Sequence, residues 1–402
     1  MLNFNKKKYV SFDNLKSFNG LLQSSLKEKL DGYKSEIDTK VQKKFNELSG
    51  KVQTDSEVID ARKGEASLRA KIDIIDNDIK NASSQLTHNT NHLISGKFPI
   101  DEKLKGASIY LPLPIGQPSI NDILDKLVYA NCNTVSICPI FWMNSSTSNS
   151  IDGYKGNLNI QEIKEVLIKA KEKGLKTIIK PHVGGYGFTS WSSINPSNIE
   201  LWITNYSNFY ISMCNEIVDY IDIFCITNEL KGQTNQHKDL WVNLINSLKS
   251  KNNIPVINAM TISESETNVF LDKLDYIGFN MYCPVEGDMS TNVNQQTKSI
   301  FRLKPYINDM YNTMNKYNKK AIITEVGILP FEISLNNPEA WGFEIEPPTN
   351  YEVQNRYYNI ALKEFLYANN VMGTMIWNAC DGFTFINRPA QEVVKKIYGG
   401  DI

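Results

Sequence analysis

The sequence has no marked excess of charge of either sign. Its 402 residues include 43 Lys and Arg and 44 Asp and Glu, which gives a formal net charge of −1. A balanced charge provides no general attraction to nucleic acid or to an anionic membrane surface. No uninterrupted apolar run approaches the roughly 18 residues that a membrane-spanning helix needs. We therefore expect that neither nucleic acid nor a membrane is a partner of this protein.

Cysteine is scarce as well, and its spacing excludes a common class of metal site. The six cysteines lie in apolar runs without a CxxC pair, so we predict small buried side chains and no zinc site. The sequence has no P-loop, dinucleotide-binding fingerprint or nucleophile elbow. The sequence begins with basic residues and then turns polar, without the apolar stretch of a signal peptide. We expect neither a metal nor another cofactor.

Residues 1–98 lack both Trp and Pro and differ in this from the rest of the chain. They contain two narrow apolar stripes, one with a spacing of about 3.67 residues and one with alternating steps of four and three. The stripes are Leu15, Phe18, Leu22, Leu26, Leu30, Tyr33, Ile37, Val41, Phe45 and Leu48, then Leu68, Ile72, Ile75, Ile79, Ala82 and Leu86. A narrow stripe must be buried against another helix. We predict a self-associating α-helical coiled-coil stalk, with a helical hairpin folded back on the domain formed by residues 99–402 as the alternative.

Between the two stripes, residues 56–73 contain a short motif. Its parts are Ile-Asp-Ala-Arg at Ile59–Arg62 and a Leu-x-x-x-Ile-Asp pattern at Leu68–Asp73. The motif resembles a junction found in bacteriophage tail-fibre and baseplate proteins, where it joins modules of trimeric fibres. The resemblance implies a homotrimer, a location in the virion and other tail or baseplate proteins as partners. Ordinary solvated helix charges are the alternative interpretation.

Residues 99–402 alternate strand and helix patterns, which is typical of an α/β protein with parallel strands. The predicted strands are Ala107–Leu111, Thr134–Cys138, Lys176–Lys180, Ile221–Thr227, Pro255–Ala259, Tyr276–Asn280, Ala321–Glu325 and Gly373–Trp377. The predicted helices include Ile160–Lys173, Ile199–Val218, Gln236–Lys249, Thr297–Lys316, Gln354–Ala368 and Ala390–Ile397. Eight such units predict a (β/α)8 TIM barrel.

Two glutamates stand at the ends of predicted strands. Glu229 follows Asn228 at the end of the fourth strand, and Glu325 ends the seventh. The carboxyl ends of barrel strands form the active-site rim, and we expect these carboxyls about 5 to 5.5 Å apart, the separation of a retaining glycosidase. Such an enzyme needs one protonated carboxyl and one ionised carboxyl. Solvated loop glutamates are the alternative.

The same positions resemble clan A of the glycoside hydrolases, which carries Asn-Glu after strand four and Glu after strand seven. The resemblance implies that Glu229 is the general acid/base and Glu325 the nucleophile. It further implies that Asn228 holds the sugar 2-hydroxyl, that Tyr282 hydrogen-bonds the nucleophile and that Trp377 floors the sugar site. The alternative interpretation is that both aromatic side chains only pack against their neighbours.

A second resemblance narrows the family. Lys-Pro-His-Val-Gly-Gly at Lys180–Gly185 and Ile-Thr-Glu-Val-Gly at Ile323–Gly327 are similar to segments of family 113, a β-mannanase family of this clan. His182 then contacts substrate or serves as a structural histidine. In the loops after strands two and three, Trp142 and Trp191 stack on sugar faces or cover the core.

The last candidates lie in two loops. Asp381 binds a sugar hydroxyl or belongs to a plain Asp-Gly turn. The stretch Leu329–Tyr351 is too long for an ordinary connection, and we expect it to form one wall of the cleft.

We conclude from the sequence that the chain is a phage tail-associated, retaining glycoside hydrolase. We expect it to cleave a bacterial cell-surface polysaccharide by double displacement, preferably at internal bonds of the polysaccharide. We expect it to need no cofactor. Two alternatives remain: a non-catalytic glycan-binding receptor protein on the tail, and a free oligomeric polysaccharide hydrolase.

Overall fold

The computed structural model describes residues 102–188, 194–252, 254–287 and 293–400. The predicted stalk over residues 1–98, its motif at 56–73 and Trp191 lie outside the described residues. The described ranges cover most of the predicted barrel domain.

Eight parallel strands form the barrel. They are β1 Leu104–Leu111, β2 Thr134–Met143, β3 Lys176–Ile179, β4 Ile223–Asn228, β5 Val256–Ala259, β6 Ile277–Asn280, β7 Ala321–Val326 and β8 Val371–Ile376. Around the sheet they run β5-β4-β3-β2-β1-β8-β7-β6, with every hydrogen-bonded neighbour parallel. A parallel bridge between Met260 and Phe279 joins the two ends of this order. The nearly closed ring confirms the predicted (β/α)8 architecture and brings all strand ends to one rim.

Two short strands extend the rim beside β2. Gly153–Tyr154 pairs antiparallel with the end of β2, and His182–Gly185 pairs parallel with its second half. Because of this pairing β2 continues to Met143, beyond the predicted end at Cys138. The chain after β3 therefore returns to the rim at His182.

Helices cover the outside of the barrel. They are Ile120–Tyr129, Ile160–Glu172, Ile199–Ile217, Lys238–Asn252, Val293–Tyr317, Glu352–Tyr357, Lys363–Tyr367 and Ala390–Gly399, with a π-helical turn at Tyr358–Leu362. Helix Ile160–Glu172 begins in a capping box, in which Asn159 and Glu162 bond each other's backbone N–H groups. The large side chains of Trp202, Tyr206 and Trp241 are fully buried in the core. The helical predictions are confirmed to within a few residues.

The barrel interior contains a cluster of buried side chains that are mostly aliphatic and include one tyrosine. They are Leu104, Ile178, Ile223, Cys225, Ile257, Ala259, Tyr276, Ile322 and Met375. Close strand contact at the β5–β6 seam requires Gly278, since a Cβ there would lie 1.7 Å from the backbone oxygen of Asn258. The Gly278 N–H instead donates to Asn258 Oδ1 over 3.0 Å.

The six cysteines are free and buried, as predicted. In the part of the chain that the structure describes, no helix combines the length and apolarity needed to cross a bilayer.

Candidate active site

The end of β4 places Asn228 and Glu229 at the rim. Glu229 has a φ of 52°, a left-handed conformation that ends the strand. Its N–H donates to Ala259 O at the end of β5, 2.9 Å away. Asn280, the last residue of β6, donates from Nδ2 to Glu229 Oε1 over 2.7 Å. Glu229 is thus held by backbone and side chain between two neighbouring strands.

Glu325 lies buried near the end of β7, with 4% of its surface exposed. The Lys180 Nζ forms an ion pair with its Oε1 atom. Tyr282 donates its hydroxyl to Oε2 over 2.7 Å, as the clan resemblance implies for this tyrosine. Both carboxylate oxygens therefore have a donor, and the side chain is fixed in orientation.

Lys180 is a buried cation at the end of β3. Its Nζ atom lies 4.7 Å from the centroid of the Trp377 ring and 3.4 Å from Asn228 Oδ1. Burial by itself lowers the pKa of Lys180, but the Glu325 carboxylate reverses this effect and the pKa is raised. Lys180 consequently remains a charged ammonium beside Glu325.

His182 lies buried beside Trp377 as a neutral imidazole. Burial, and then the nearby Lys180 charge, hold its pKa well below the usual range. Its ring stacks on Trp377, with the centroids 5.0 Å apart and the planes 24° apart. Asn228 Nδ2 lies 3.2 Å from His182 Nδ1. Because Lys180 and Asn280 both donate to Asn228 Oδ1, the amide donates to the ring, and His182 accepts at Nδ1.

The two rim glutamates differ in their electrostatic surroundings. Burial, and then the charge of Glu325, raise the pKa of Glu229 from 4.5 to about 7. The hydrogen bond from Asn280 and the charge of Lys180 oppose that rise. Near neutral pH the site therefore offers a proton on Glu229 beside an ion-paired carboxylate at Glu325. One protonated and one ionised carboxyl are what acid catalysis combined with nucleophilic attack requires.

Trp377 joins the site to the adjoining loop. It is 8% exposed and meets the Tyr110 ring edge-on, with the centroids 4.9 Å apart. It belongs to an apolar cluster with Cys138, Leu329, Phe331 and Phe383. Phe343 packs against this cluster, so the long loop Leu329–Tyr351 adjoins the site through two of its aromatic side chains, Phe331 and Phe343.

The remaining predicted residues lie in other settings. Asp381 accepts hydrogen bonds within its own loop, from Asn378 Nδ2 over 2.7 Å and from Phe383 N over 2.8 Å, which is the turn alternative. Trp142 is half-buried and meets Tyr186 edge-on at 5.2 Å. Trp191 lies outside the described residues.

Sequence reasoning missed three residues of this cluster. Lys180 stands in the family motif but was not predicted as a site residue, although it ends an apolar strand as Glu229 does. Asn280 ends β6 in the same way, and Tyr110, whose hydroxyl lies 3.5 Å from His182 Nδ1, stands near the end of β1. For Lys180 and Asn280 the available signal was a polar side chain at the carboxyl end of a predicted apolar strand. Across the described ranges, no group of three or more His, Cys, Asp or Glu is arranged to hold a metal.

Comparison with known proteins identifies related barrels. The model of Glycoside Hydrolase Family 113 matches residues 116–399. A solved GH113 β-1,4-mannanase is 19% identical, with 74% of this chain and 99% of that chain covered and a TM-score of 0.60. A GH113 β-mannanase from Alicyclobacillus acidocaldarius is 18% identical, with 75% and 98% covered and a TM-score of 0.62.

A more distant similarity is to a β-glucuronidase from Ruminococcus gnavus. It is 14% identical, with 74% of this chain and 50% of that chain covered and a TM-score of 0.51. At these identities the structural similarities show the fold alone. No match was found among curated proteins.

Proposed function

Because the chain belongs to glycoside hydrolase family 113 and is thereby a retaining glycoside hydrolase of clan A, we propose that it cleaves a polysaccharide by double displacement through Glu229 and Glu325. The single observation that carries this proposal is the difference between the two carboxyls. Glu229 has a pKa of about 7, whereas Glu325 is ion-paired with Lys180.

In the first step Glu325 attacks the anomeric carbon with one carboxylate oxygen. The bond from that carbon to the glycosidic oxygen breaks, and the leaving oxygen takes the proton of Glu229. The product is an ester between the sugar and Glu325. Tyr282 and Lys180 hold the attacking carboxylate in place before reaction, which reduces the reorganisation that the attack requires.

In the second step the Glu229 carboxylate removes a proton from water. The water oxygen attacks the anomeric carbon, the ester bond to Glu325 breaks, and the configuration of the sugar is retained. Asn228 is proposed to hold the sugar 2-hydroxyl, where hydrogen bonds strengthen in the transition state. Trp377 and His182 are proposed to form the floor beneath that sugar, supported by their stacked arrangement.

For the substrate, we infer a bacterial cell-surface polysaccharide that is cut within the chain. The solved relatives named as β-mannanases make β-mannosyl linkages the first chemistry to examine. The surface location is supported by the tail-fibre-like motif at residues 56–73. The sequence pattern of residues 1–98 supports a trimeric stalk that binds other phage tail or baseplate proteins. Several barrels on one stalk would gain avidity for a repeating glycan.

The catalytic proposal is tested by release of reducing sugar from β-mannan and from purified bacterial surface polysaccharides. Release by the parent protein, and loss of release by Glu229→Gln and Glu325→Gln, is the expected result. Glu216→Gln, which alters an exposed carboxyl on the outer helix Ile199–Ile217, serves as the matched control and should retain activity. Full release by Glu325→Gln would remove this residue from the nucleophile role. Tight binding by the parent without release would favour the receptor alternative.

The stalk proposal is tested by the mass of the protein in solution. The intact chain should have three times the mass of one subunit, and a chain lacking residues 1–95 should have the mass of a monomer. A monomeric intact chain would contradict the trimeric stalk without affecting the catalytic proposal. Glycan cleavage by the shortened chain would show that the barrel acts independently of the stalk.

A further inference from the structure

A third carboxyl, Glu264, lies near Glu229 in the loop that follows β5. It takes no part in the two displacement steps. It ends the 3-10 turn Ile262–Glu264 that follows β5, and it is 0% exposed. Thr234 donates its hydroxyl to Glu264 Oε1 over 2.7 Å. Burial is the main cause that raises the pKa of Glu264 to about 8. The side chain is therefore mostly neutral at pH 7.

The Thr234–Glu264 contact joins the two loops that follow β4 and β5. Thr234 ends the helical turn Lys231–Thr234, which begins two residues after Glu229. The same loop after β5 supplies the Val269 N–H, which donates to Thr234 O over 3.0 Å. At the other end of the segment, the Glu229 N–H donates to Ala259 O. The segment that carries the acid/base is thus attached at its start and at its end.

Attachment at both ends matters because the Glu229 backbone is strained. Its φ of 52° is a conformation that residues other than glycine rarely adopt and that persists when the surroundings impose it. Release of the following turn would allow this backbone to relax and would move the carboxyl. A general acid must stay within hydrogen-bond reach of the leaving oxygen.

We propose that Glu264 is a positioning residue for the acid/base, because its hydrogen bond with Thr234 fixes the turn that follows Glu229. The inference rests on the acid/base role of Glu229 in the proposed function. The charged and titratable groups that influence Glu264 are Glu229 and Lys231, and the Asn268 side chain is its further polar neighbour. A neutral hydrogen-bond acceptor of the same shape should be able to take over this role. The side-chain amide oxygen in Glu264→Gln should therefore accept from Thr234 and keep the turn in place.

A substrate-free experiment tests the structural half of this proposal. Amide hydrogen exchange is measured over residues 229–236 in the parent, in Glu264→Leu and in Glu264→Gln. Exchange in this segment should accelerate roughly tenfold or more in Glu264→Leu and remain at the parent level in Glu264→Gln. Exchange at the parent level in Glu264→Leu would overturn the proposal. The Tm of each variant shows whether a change is confined to the turn.

A comparison of leaving groups tests the catalytic half. A dinitrophenolate leaves without a proton, whereas a sugar hydroxyl needs the general acid. In Glu264→Leu, kcat/KM should fall about ten- to a hundredfold on mannohexaose and less than about threefold on 2,4-dinitrophenyl β-mannobioside. An equal fall on both substrates would indicate general structural damage and would overturn the proposal.

Thr234→Val provides a matched variant, since it removes the same hydrogen bond from the other side with little change in shape. In the double variant, the changes in hydrogen exchange and in kcat/KM should be no larger than in Glu264→Leu alone. Additive effects would show that the two residues act separately and would contradict the proposal. If the parent cleaves neither mannosyl probe, the β-mannosyl substrate is wrong, while hydrogen exchange still tests whether Glu264 fixes the turn after Glu229.

Discussion

At the residue scale, the pairing of Lys180 with Glu325 dominates the site. Removal of one partner of a buried ion pair leaves the other charge uncompensated. We expect Lys180→Met to lower kcat/KM at least about a hundredfold, because Glu325 loses the donor that fixes its orientation and its charge. Steady-state kinetics on the cleaved glycan measure this loss.

The control for Lys180 is a lysine in a more exposed ion pair. Lys238 pairs with Asp272, and 49% of its side chain is exposed, so its interaction is weak. Lys238→Met should retain the activity of the parent. Parent-like kcat/KM in Lys180→Met would mean that Tyr282 alone is sufficient to hold the nucleophile.

Asn280 shifts the pH range in which Glu229 carries its proton, against the larger effects of burial and of Glu325. Its Nδ2 group donates to the Glu229 carboxylate and so lowers the pKa of Glu229, which remains raised to about 7. We expect the activity of the parent to decline above pH 7 as Glu229 loses its proton. In Asn280→Ala the carboxylate loses a donor, and the decline should move to higher pH.

The pH dependence of kcat/KM measures this shift. Asn205→Ala, which removes a hydrogen bond to Asn149 O outside the site, should leave the profile unchanged. A decline at lower pH in Asn280→Ala would contradict the assignment of Asn280 as a donor to the ionised form.

At the element scale, the approach of β7 and β8 brings Trp377 next to Val326, the neighbour of Glu325, and the Trp377 N–H donates to Val326 O over 3.0 Å. Gly327 follows β7, and a Cβ there would lie 2.0 Å from Trp377 O. Gly327→Ala should therefore displace Trp377 and lower kcat/KM by about tenfold or more, with a fall in Tm. Gly232→Ala adds the same methyl group where no atom lies within 4 Å, and it should keep the Tm of the parent. Unchanged kcat/KM and Tm in Gly327→Ala would show that the strand ends shift to accommodate the methyl group, and would contradict this prediction.

The strands were predictable because strands buried on both faces read as continuous apolar runs. Glu229 and Glu325 were found for the same reason, since a charged residue at the end of such a run is conspicuous. The extension of β2 to Met143 was not predicted, because it depends on pairing with His182–Gly185. Pairing between segments distant in sequence leaves little local pattern.

At the scale of the whole molecule, closure of the barrel creates contacts that no single segment specifies. Asn280 reaches Glu229 across the β4, β5 and β6 ends, and Lys180 reaches Glu325 from the far side of the ring. The sequence therefore predicted that Glu229 and Glu325 lie at strand ends, but not which polar residues meet them there. Glu264 was missed because a glutamate in a loop gives no sign of being fully buried.

The buried carboxyls also make the stability of the barrel depend on pH. The pKa of Glu229 is raised from 4.5 to about 7, and that of Glu264 from 4.5 to about 8. The folded protein retains these protons at pH values where the unfolded chain has lost them. The contribution of these two carboxyls to the free energy of unfolding is complete below about pH 4.5, and it is lost as pH rises through the folded pKa values. His182 has the opposite effect below pH 6.5, because its folded pKa is lowered. The decline should therefore be clearest from about pH 6.5 to 8.

Over this interval we expect the free energy of unfolding to fall, with Glu264 contributing on the order of 2 kcal/mol. Urea denaturation at a series of pH values measures the slope. Glu264→Gln cannot lose a proton and should flatten the decline, whereas Glu266→Gln, at an exposed glutamate two residues away, should retain it. The same slope in the parent and in Glu264→Gln would show that Glu264 is already ionised in the folded barrel over this interval. The Thr234 hydroxyl would then be bound to a carboxylate, and Gln at this position would no longer be an equivalent acceptor.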